Sequence, residues 1–583
     1  MKNTSENAAN QIDAVRHSLA HLLAMAVLKK FPKAKLGIGP VIENGFYYDF
    51  LIPSPFTPDD LKEFQKEMKK LIGARLPIVG EKVTPLKAKK IFANQPFKLE
   101  LIKDFVKEKK SLTIYATGEA PSAFTDLCRG GHVKNTSEIN PDAFQLTTIA
   151  GAYWKGDEKN KQLQRIYGLA FETKKELNDY QTMLEEAKKR DHRKLGQDLD
   201  LFTFSELVGS GLPLWTPKGT ILRNVLDNLV WSLRKERGYQ QVDIPHIAKK
   251  DLYEKSGHWD KFKDELMKIT TREGHIFAMK PMNCPHHIQI FVRKQHSYRD
   301  LPIRFANTTK VYRDEQTGEL SGLTRVRSIT QDDAHVFCRL SQIKEEMLKA
   351  WNIIEIFYGK VGFKLDMRLS FHDPKESKKY LGTPKMWNTA ENILRDLAKA
   401  KKIKYTEVPG EAAFYGPKID FIATDSLGRE WQVATIQLDM NLPERFDLNC
   451  INENGEKERI VMIHVAIMGS IERYLAVLIE HFAGAFPFWL APAQVAILPI
   501  NDKNENYIKE IEKILVGKDI RFEIDRRNES VGKKIREAEI QKIPFVIVIG
   551  DREAEAKTVA LRERGKGDLG AMSIENAIAK MLG

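Results

Sequence analysis

The segment Val311–Cys338 reads VYRDEQTGELSGLTRVRSITQDDAHVFC and combines cations, carboxylates and a histidine in one stretch. Apolar residues alternate at both of its ends, and Gly318 to Gly322 supply turn residues, so the pattern predicts a long antiparallel hairpin. If the alternation held through the turn, the odd-numbered polar residues would share one face. Those residues are Arg313, Glu315, Arg325, Arg327, Gln331, Asp333 and His335. Such a face is either a solvated surface or a binding surface, and the hairpin alone does not decide between them.

The length and charge of the chain limit the classes of protein to which it can belong. A chain of 583 residues is too long for one hydrophobic core and predicts roughly three to five domains. Lysine and arginine number 92 against 79 aspartate and glutamate residues, which gives a net charge of +13. Basic proteins bind polyanions through counterion release, so a nucleic acid is a candidate partner. Many soluble proteins are mildly basic, however, and charge alone does not establish one.

The four cysteines, Cys128, Cys284, Cys338 and Cys450, lie far apart in the sequence. This spacing is not that of a disulfide framework, and it predicts a reducing compartment in which thiols are available as ligands. No stretch has the apolar length of a membrane span, and the first residues lack the apolar core of a signal peptide. We therefore expect a cytoplasmic protein without a membrane segment.

Changes in composition along the chain predict four segments. Residues 1–172 mix helical and strand-like patterns and predict an α/β domain, and the dense charge at 173–196 predicts an exposed linker helix. Residues 197–491 alternate long helices with polar-faced strands, which is typical of an antiparallel sheet with helices on one side. Residues 492–583 contain short apolar runs separated by helical stretches and predict a small parallel sheet. Helices are predicted at 11–30, 222–237 and 341–358.

Two pairs of potential ligands occur in the first domain. His17 and His21 stand four apart on a predicted helix, so both rings project from one face. Cys128 and His132 stand four apart in a glycine-rich turn. These groups could bind a metal, although the spacing falls outside the commonest zinc patterns. They could equally move protons around a bound ester without a metal, or serve only packing.

A second group of chemically active residues is spread over the middle domain. Cys284, His335 and His464 are too far apart in sequence for any spacing rule to connect them. Arg473 stands at the head of an amphipathic helix and is either a surface charge or a phosphate contact. On these residues alone, both interpretations remain open.

The chain resembles the bacterial threonyl-tRNA synthetases, which are class II aminoacyl-tRNA synthetases, over nearly its whole length. The matching blocks occur in the order found in that family: LGIGPVIENGFYYDF, DLCRGGHV, GAYWKGD, HRKLGQDLDLF, GLPLWTPKG, TRVRSITQDDAHVF, HVAIMGSIERYLAVLIEHFAG and RNESVGKKIRE. The resemblance implies a multidomain α+β and α/β protein. Its expected parts are an N-terminal α/β editing domain, a class II catalytic core built on an antiparallel sheet, and a C-terminal α/β anticodon-binding domain.

The resemblance also implies the reaction, which is ATP-dependent ligation of threonine to tRNA(Thr) through threonyl-adenylate, with Mg²⁺ accompanying the ATP. Arg313 would contact the α-phosphate, Arg473 would point toward the γ-phosphate, and Glu315 would face the adenine amino group. Planar guanidinium donors suit both phosphate contacts. Other residues match the family's threonine and adenylate pocket: Met282, Arg325, Gln331, Asp333, Tyr415, Lys418, Gln432, Gln437 and Ser470.

By the same resemblance, Cys284, His335 and His464 match the ligands of one zinc ion per subunit. Three protein ligands leave positions that the amino and hydroxyl groups of threonine can fill. An apolar pocket separates threonine from valine by only about 100-fold, whereas a site that requires the hydroxyl rejects its absence by roughly 10⁴ to 10⁵. Serine has both groups and lacks only a methyl, so an editing step is expected.

The resemblance assigns that editing step to the first domain, which would hydrolyse Ser-tRNA(Thr). The matching residues are His17, His21, Tyr48, Lys98, Asp126, Cys128 and His132. In the last domain, Asn528, Glu553 and Arg562 match positions that read anticodon bases, in keeping with hydrogen bonding to unstacked loop bases. The strand expected around Pro245 resembles motif 1 and implies a homodimer.

Several positions depart from the family pattern. The small ubiquitin-like domain that usually precedes the editing domain has no counterpart in these residues. Ile329 replaces a phenylalanine that stacks on adenine, Ser328 replaces a glycine, and Ala434 replaces a glycine expected to line the pocket. Two rival functions remain at this point: a catalytically silent paralogue that binds tRNA or mRNA, and an editing hydrolase that has lost synthetic activity.

Overall fold

A computed structural model of the chain describes residues 2–121 and 123–583, with the backbone alone for residues 2–10. The chain divides into two units between Glu185 and Glu186. The first unit contains helices α1 (Lys2–Lys30), α2 (Pro58–Gly73), α3 (Pro85–Ile91), α4 (Pro96–Lys107) and most of α5 (Lys174–Arg190). Its strands are β1 (Lys35–Leu36), β2 (Val41–Ile42), β3 (Gly45–Leu51), β4 (Ile78–Val83), β5 (Leu112–Thr117), β6 (Phe124–Leu127), β7 (Phe144–Tyr153) and β8 (Gln162–Ala170).

The first unit has two antiparallel sheets. One has the order β1-β3-β8-β7 with β2 paired to β3, and the other has the order β4-β5-β6. Its larger core joins Leu22 and Leu23 of α1 to Phe46 of β3 and Phe64 of α2, all of which are buried. Thr57 and Asp60 form a reciprocal capping box at the start of α2, which satisfies backbone N–H groups that a helix start leaves free. Helix α1 is therefore packed against both α2 and β3.

The second unit contains the end of α5, followed by α6 (His192–Asp198). Its next strands are β9 (Phe202–Thr203), β10 (Leu214–Trp215), β11 (Gln240–Gln241), β12 (Ile247–Lys249), β13 (Lys268–Thr270), β14 (Ile276–Met279), β15 (Ile303–Tyr312), β16 (Ser328–Cys338), β17 (Leu365–Phe371), β18 (Tyr405–Pro409), β19 (Lys418–Thr424), β20 (Glu430–Asp439), β21 (Asn449–Ile451), β22 (Lys457–Arg459) and β23 (Val461–Ala466). The unit is centred on an eight-stranded sheet of order β11-β15-β16-β23-β20-β19-β17-β18. The accompanying helices are α7 (Pro217–Lys235), α8 (Lys250–Ser256), α9 (His258–Lys261), α10 (Cys284–Val292), α11 (Ile343–Val361), α12 (Pro384–Lys401), α13 (Asn441–Arg445) and α14 (Ile471–His481).

The inner strands of this sheet are antiparallel, as predicted, and only the edge pairs β11–β15 and β17–β18 are parallel. One face of the sheet carries a continuous core that includes Leu226 of α7, Trp351 of α11 and Leu475 of α14. Short additional sheets are formed by β9 with β10, by β12, β14 and β13, and by β21 with β22. The opposite face of the large sheet is therefore the one available for a site.

Strands β15 and β16 form an antiparallel hairpin that pairs from Ile303 opposite Phe337 to Tyr312 opposite Ser328. The second strand lies where the pattern predicts it, but the first was misplaced, because β15 ends at Tyr312, close to where that strand was expected to begin. The expectation of a single polar face was wrong. Residues 313–327 form an irregular loop between the strands, so alternation is lost there. Within β16 the even-numbered Asp332 is also buried, because Arg234 pairs with its carboxylate from the other side of the sheet.

Two further expectations require correction in the second unit. Pro245 lies between β11 and β12 and outside both strands, because proline has no N–H to donate to a sheet. The exposed linker helix is interrupted, since α5 ends at Arg190 and α6 begins at His192. His192 is only 4% exposed, so this end of the predicted linker belongs to a packed structure.

The C-terminal segment contains β24 (Val495–Pro499), β25 (Phe522–Ile524), β26 (Phe545–Ile549), β27 (Val559–Glu563) and β28 (Gly567–Met572), with α15 (Glu505–Gly517), α16 (Val531–Ile540), α17 (Asp551–Ala556) and α18 (Ile574–Leu582). Its sheet order is β25-β24-β26-β27-β28. The first three strands are parallel, as predicted, but β27 and β28 are antiparallel to their neighbours. The short turn between β27 and β28 permits only an antiparallel pair. None of the helices in the described part of the chain has the length and apolar character of a bilayer span.

Candidate functional site

A cavity of about 300 Å³ opens on the face of the large sheet opposite the helical core. Ten residues singled out from the sequence line it: Met282, Arg313, Gln331, Asp333, Tyr415, Lys418, Gln432, Gln437, His464 and Arg473. The sequence did not single out Thr435, Val465, Ala466 or Gly469, which also line it. Thr435 is recoverable from the pattern, because it lies in β20 between two predicted residues. Val465, Ala466 and Gly469 lie at the end of β23 and just beyond it, and they have no polar side chain that would indicate a binding role.

Two arginines enter the cavity from different elements. Arg313 follows the last residue of β15, and its Nη2 lies 3.8 Å from the Met282 sulfur. Arg473 lies in the first turn of α14, and its Nε donates to the Thr324 carbonyl at 3.2 Å. Loss of solvent and the positive charges of Arg313 and Arg325 lower the pKa of Arg473. Guanidinium groups that repel each other in this way favour an anion placed between them.

Glu315, Arg325 and Ser470 stand beside the cavity and do not line it. Arg325 Nη2 is 2.7 Å from Glu315 Oε2, and Glu315 is largely buried. Ser470 caps α14, because its Oγ accepts a hydrogen bond from the Arg473 N–H at 3.2 Å. Ser470 therefore helps to fix the position of the arginine that does enter the cavity.

One buried carboxylate that the sequence analysis did not single out orients two side chains of the cavity. Asp420, which has no exposed surface, accepts from Gln432 Nε2 at 2.7 Å and lies 3.0 Å from Lys418 Nζ. Tyr415 donates its hydroxyl hydrogen to Gln437 Oε1 at 2.9 Å. Because Asp420 alternates with apolar residues in β19, its orienting role was not visible without the strand pairing.

Asp333 provides the acidic group of the cavity. Asn283, another residue the sequence did not single out, donates from Nδ2 to Asp333 Oδ2 at 3.0 Å. Burial raises the pKa of Asp333 to about 6. Since Asn283 immediately precedes Cys284, one short segment orients the acid and supplies the neighbouring thiol.

Cys284, His335 and His464 come together although 180 residues separate the first from the last. Their potential ligand atoms all lie within 4.8 Å of one another, and all three side chains are buried. The pairing of β16 with β23 brings the histidines together, because His335 stands directly opposite His464. Cys284 opens α10. Burial raises the pKa of the Cys284 thiol well above its ordinary value.

The surroundings of this cluster fit a bound cation. His335 Nε2 and His464 Nδ1 face each other at 3.1 Å. Each ring uses its other nitrogen elsewhere: His464 Nε2 lies 3.0 Å from Asp439 Oδ2, and His335 Nδ1 lies 2.8 Å from His287 Nδ1. When those partners accept the ring hydrogens, both facing nitrogens present lone pairs beside the sulfur. A carboxylate that binds the second nitrogen of a histidine ligand, as Asp439 does for His464, is typical of zinc sites.

The departures from the family pattern have different surroundings. Ile329 and Ser328 lie at the start of β16 opposite Val311 and Tyr312, and Ser328 is buried with no hydrogen-bond partner for its hydroxyl. Ala434 is part of the hydrophobic core and does not line the cavity. The expectation that this position lines the pocket was therefore wrong. Ala434 faces the core with Ile436 and Leu438, as alternation along β20 requires. The register shift next to it allows Gln432, which alternation alone would turn into the core, to line the cavity.

The seven editing candidates of the first unit also lie together. Lys98 and Asp126 form an ion pair in which each side chain is at most 3% exposed. Tyr48 donates to Asp126 Oδ2 at 2.5 Å and accepts from Lys98 Nζ at 3.1 Å. Burial raises the pKa of Tyr48 well above its ordinary value, so the phenol keeps its hydrogen. His21 Nε2 is 3.7 Å from the same carboxylate oxygen.

The remaining members surround His132, which stacks on His17 at 4.0 Å between ring centroids. Cys128 Sγ is 3.2 Å from His132 Nε2. Burial lowers the pKa of His132 to about 2 and raises that of Cys128 to about 12, so both groups are neutral. His17 Nδ1 must donate to the Gly130 carbonyl at 2.9 Å, which leaves its Nε2 lone pair free. His17, His21, Cys128 and His132 could also ligate a metal, since their donor atoms lie within 4.8 Å.

The anticodon candidates are less clearly grouped. Asn528 follows the carboxyl end of β25 and is exposed, and Glu553 follows the carboxyl end of β26 in α17. Because β25 and β26 are parallel, both residues lie toward one edge of the sheet. Arg562 lies within β27 opposite Val546, and its Nη1 is 3.5 Å from Asp568 Oδ2.

Three family models match parts of the chain. The class II tRNA synthetase core domain (G, H, P, S and T) matches residues 265–482. The anticodon binding domain matches residues 494–583. The second additional domain of threonyl and alanyl tRNA synthetases matches residues 112–167.

Several relatives are similar over most of the chain. The threonine–tRNA ligase of Gloeobacter violaceus is 50% identical over 580 residues, covering 98% of this chain and 92% of the relative. That of Desulforamulus reducens is 49% identical over 568 residues, covering 97% and 87%. A crystal structure of the RNA binding domain of threonyl-tRNA synthetase from Cryptosporidium parvum matches with a TM-score of 0.64 at 39% identity, covering 67% of this chain and 98% of that one. The chain therefore belongs to the threonine–tRNA ligase family of class II tRNA synthetases.

Proposed function

We propose that the protein activates threonine with ATP and transfers it to tRNA(Thr), and that its first unit hydrolyses Ser-tRNA(Thr). One observation carries the synthetic part of this proposal. The cavity is lined both by Arg313 and Arg473, which suit phosphate, and by His464 of the Cys-His-His cluster, which suits an amine and a hydroxyl. A nucleotide and an amino acid can therefore meet in one space.

Alignment and charge stabilisation account for the activation step. The threonine carboxylate attacks the α-phosphorus of ATP, a new C–O–P bond forms, and pyrophosphate leaves with the electrons of the broken P–O bond. Arg313 would contact the α-phosphate and Arg473 the γ-phosphate, while Glu315 accepts from the adenine amino group. Mg²⁺ accompanies the ATP and offsets the charge of the triphosphate. A terminal ribose hydroxyl of tRNA then attacks the adenylate carbonyl, and AMP leaves.

Cys284, His335 and His464 would hold one zinc ion, for which their donor set and outer partners are suited. Zn²⁺ supplies open coordination positions for the amine and hydroxyl of threonine when it is bound. Asp333 lies beside these ligands and can accept a hydrogen from either group, held in place by Asn283. A substrate that lacks the hydroxyl, such as valine, leaves these polar groups unpaired, which is the physical basis of its rejection.

The first unit would remove serine that escapes this selection. Asp126 is oriented by Lys98 and Tyr48 and can bind the amine of a seryl ester. His17 keeps a free Nε2 lone pair that can accept a proton from water as the water attacks the ester carbonyl. The bond between the seryl carbonyl carbon and the ribose oxygen then breaks, and the leaving ribose oxygen takes up the proton from His17.

The remaining parts of the proposal concern tRNA and assembly. Asn528, Glu553 and Arg562 would read anticodon bases in the segment that matches an anticodon binding domain. The net charge of +13 favours tRNA as the partner. We also propose a cytoplasmic homodimer that associates through the region around Pro245. All four cysteines are free thiols, which suits a reducing compartment.

Threonine-dependent exchange of pyrophosphate into ATP tests the synthetic function, with serine and valine as competing substrates. In wild-type protein, kcat/KM for threonine is expected to exceed that for valine by roughly 10⁴ or more. In Cys284→Ala this ratio should fall toward about 100, because the site no longer requires the hydroxyl. Zinc analysis should find the ion in wild-type protein and a loss in Cys284→Ala. Cys450→Ala is the matched control, since Cys450 is also a buried thiol but is not one of the residues that could hold the ion.

The outcomes separate the rival functions. Absence of exchange with threonine would contradict the synthetic function. Cleavage of Ser-tRNA(Thr) without charging would instead indicate the editing-only hydrolase, and tRNA binding with neither activity would indicate the silent paralogue. Equal exchange with threonine and valine in wild-type protein would overturn the zinc-selection argument.

A further inference from the structure

His192 joins two parts of the second unit that the proposed reaction uses. It is the first residue of α6, it is only 4% exposed, and it lies in the segment expected to be a linker. Its Nε2 is 3.0 Å from the backbone nitrogen of Leu323, in the loop between β15 and β16. Its Nδ1 is 2.6 Å from Glu480 Oε1, near the end of α14.

The hydrogen-bond partners determine which nitrogen of His192 carries the hydrogen. A backbone N–H can only donate, so Nε2 offers its lone pair to Leu323. Nδ1 therefore carries the hydrogen and donates it to Glu480. Asp191, His192 and Glu480 are close enough together to resemble a metal site. Both ring nitrogens of His192 are already engaged, however, so the ring has no lone pair left for a cation.

Glu480 is itself held in a fixed orientation. Its other oxygen, Oε2, accepts from Arg429 Nη2 at 2.5 Å, and Arg429 Nε donates to Asp425 Oδ2 at 2.8 Å. The Glu480 oxygen that meets His192 also accepts from the His192 backbone N–H at 3.1 Å. Glu480 consequently fixes the orientation of the imidazole, and the Nε2 lone pair points toward Leu323 in the loop between β15 and β16.

The 313–327 loop is held at its tip from two sides. His192 binds the backbone of Leu323, whose side chain is fully buried, and Arg473 binds the carbonyl of Thr324. The next residue, Arg325, pairs with Glu315 near the start of the loop. The position of the loop therefore determines the positions of Glu315, which is proposed to contact adenine, and of Arg473, which is proposed to contact phosphate.

We infer that His192 is a positioning residue for ATP, which acts by fixing the 313–327 loop through the Leu323 backbone against the end of α14. This inference rests on the proposed function, because it requires that Arg313 and Glu315 bind ATP. His192 itself need not touch the nucleotide. The segment expected to be a linker thus completes the nucleotide site.

Two substitutions separate the functions of the ring nitrogens. His192→Asn can keep the donor to Glu480 but has no acceptor that reaches Leu323, whereas His192→Gln can place its Oε1 near the former Nε2. In pyrophosphate exchange, we expect His192→Asn to raise KM for ATP about tenfold, since it leaves a buried N–H unpaired. KM for threonine should change less than about twofold, and His192→Gln should recover most of the ATP affinity. The control is His275→Asn, because His275 is exposed.

Amide hydrogen exchange tests the contact independently of activity. In wild-type protein without ATP, the Leu323 amide should be protected from hydrogen exchange. In His192→Asn its exchange should be about tenfold faster, which is the same factor as the expected rise in KM for ATP. A wild-type KM for threonine in pyrophosphate exchange shows that the second unit of the variant is folded, and Ser-tRNA(Thr) hydrolysis by the first unit should be unchanged. If wild-type protein shows no pyrophosphate exchange, the proposed function itself is contradicted. Fast exchange of Leu323 in wild-type protein, or an unchanged KM for ATP in a folded His192→Asn variant, would overturn the inference.

Discussion

At the scale of single residues, the ion pair of Lys98 with Asp126 shows how a buried charge can be tied to function. Both side chains are at most 3% exposed, and Tyr48 contacts both of them. Removal of one partner of such a pair leaves the other charge buried and uncompensated, which is far more costly than loss of a surface pair. We therefore expect Lys98→Met to destabilise the first unit by about 3 to 5 kcal/mol.

Hydrogen exchange of amides in β3 and β6 measures this loss, because it reports local opening without requiring two-state unfolding of the whole chain. Ser-tRNA(Thr) hydrolysis should fall in parallel, since Asp126 loses its orientation. Lys103→Met is the control, because Lys103 lies on the same helix α4 and is exposed. A Lys98→Met variant with wild-type protection would show that the pair contributes no net stability.

At the scale of elements, prediction succeeded where local periodicity decides the structure and failed where distant partners decide it. Strand β16 follows from its alternation and α11 from its apolar spacing, whereas β15 lies almost wholly before the segment in which its strand was expected. By contrast, the charge density around His192 predicts exposure, and its burial is favourable because Glu480, 288 residues away, and the backbone N–H of Leu323 bind its two ring nitrogens. The closeness of His335 and His464 likewise depends on the register of β16 against β23. Family resemblance supplied that cluster, and physical pattern alone would not have done so.

The 313–327 loop offers a second test of this element-scale view. Gly322 has φ of +49°, and a Cβ there would lie 2.3 Å from His192 Nε2. Gly318 lies in the same loop with open space around it. Gly322→Ala should therefore raise KM for ATP about tenfold or more through backbone strain and displacement of the imidazole, whereas Gly318→Ala should change it less than about twofold.

Pyrophosphate exchange at varied ATP concentration measures both variants side by side. KM for threonine serves as the internal reference, because the cavity side chains that would bind it come from β16, β19, β20 and β23. Equal effects of the two substitutions on KM for ATP would mean that loop flexibility in general, and not the contact at Gly322, determines nucleotide binding.

At the scale of the whole molecule, the two candidate sites belong to units with separate hydrophobic cores. The larger core of the first unit runs from Leu19 to Ala170, and that of the large sheet runs from Leu199 to Ala491. Neither core includes a residue of the other unit. Damage to one site should therefore leave the chemistry of the other intact, provided that the substitution does not unfold its own unit.

We expect His17→Ala to lower Ser-tRNA(Thr) hydrolysis by roughly 10² to 10⁴, because it removes the imidazole proposed to accept a proton from water. Pyrophosphate exchange with threonine and with serine should keep its wild-type kcat and KM, so Ser-tRNA(Thr) should accumulate during charging in the presence of serine. Cys284→Ala should show the converse, with threonine activation impaired and hydrolysis of supplied Ser-tRNA(Thr) retained. A His17→Ala variant that loses exchange and hydrolysis in equal proportion would show instead that the two units act as one cooperative structure, and the division between Glu185 and Glu186 would then have no functional meaning.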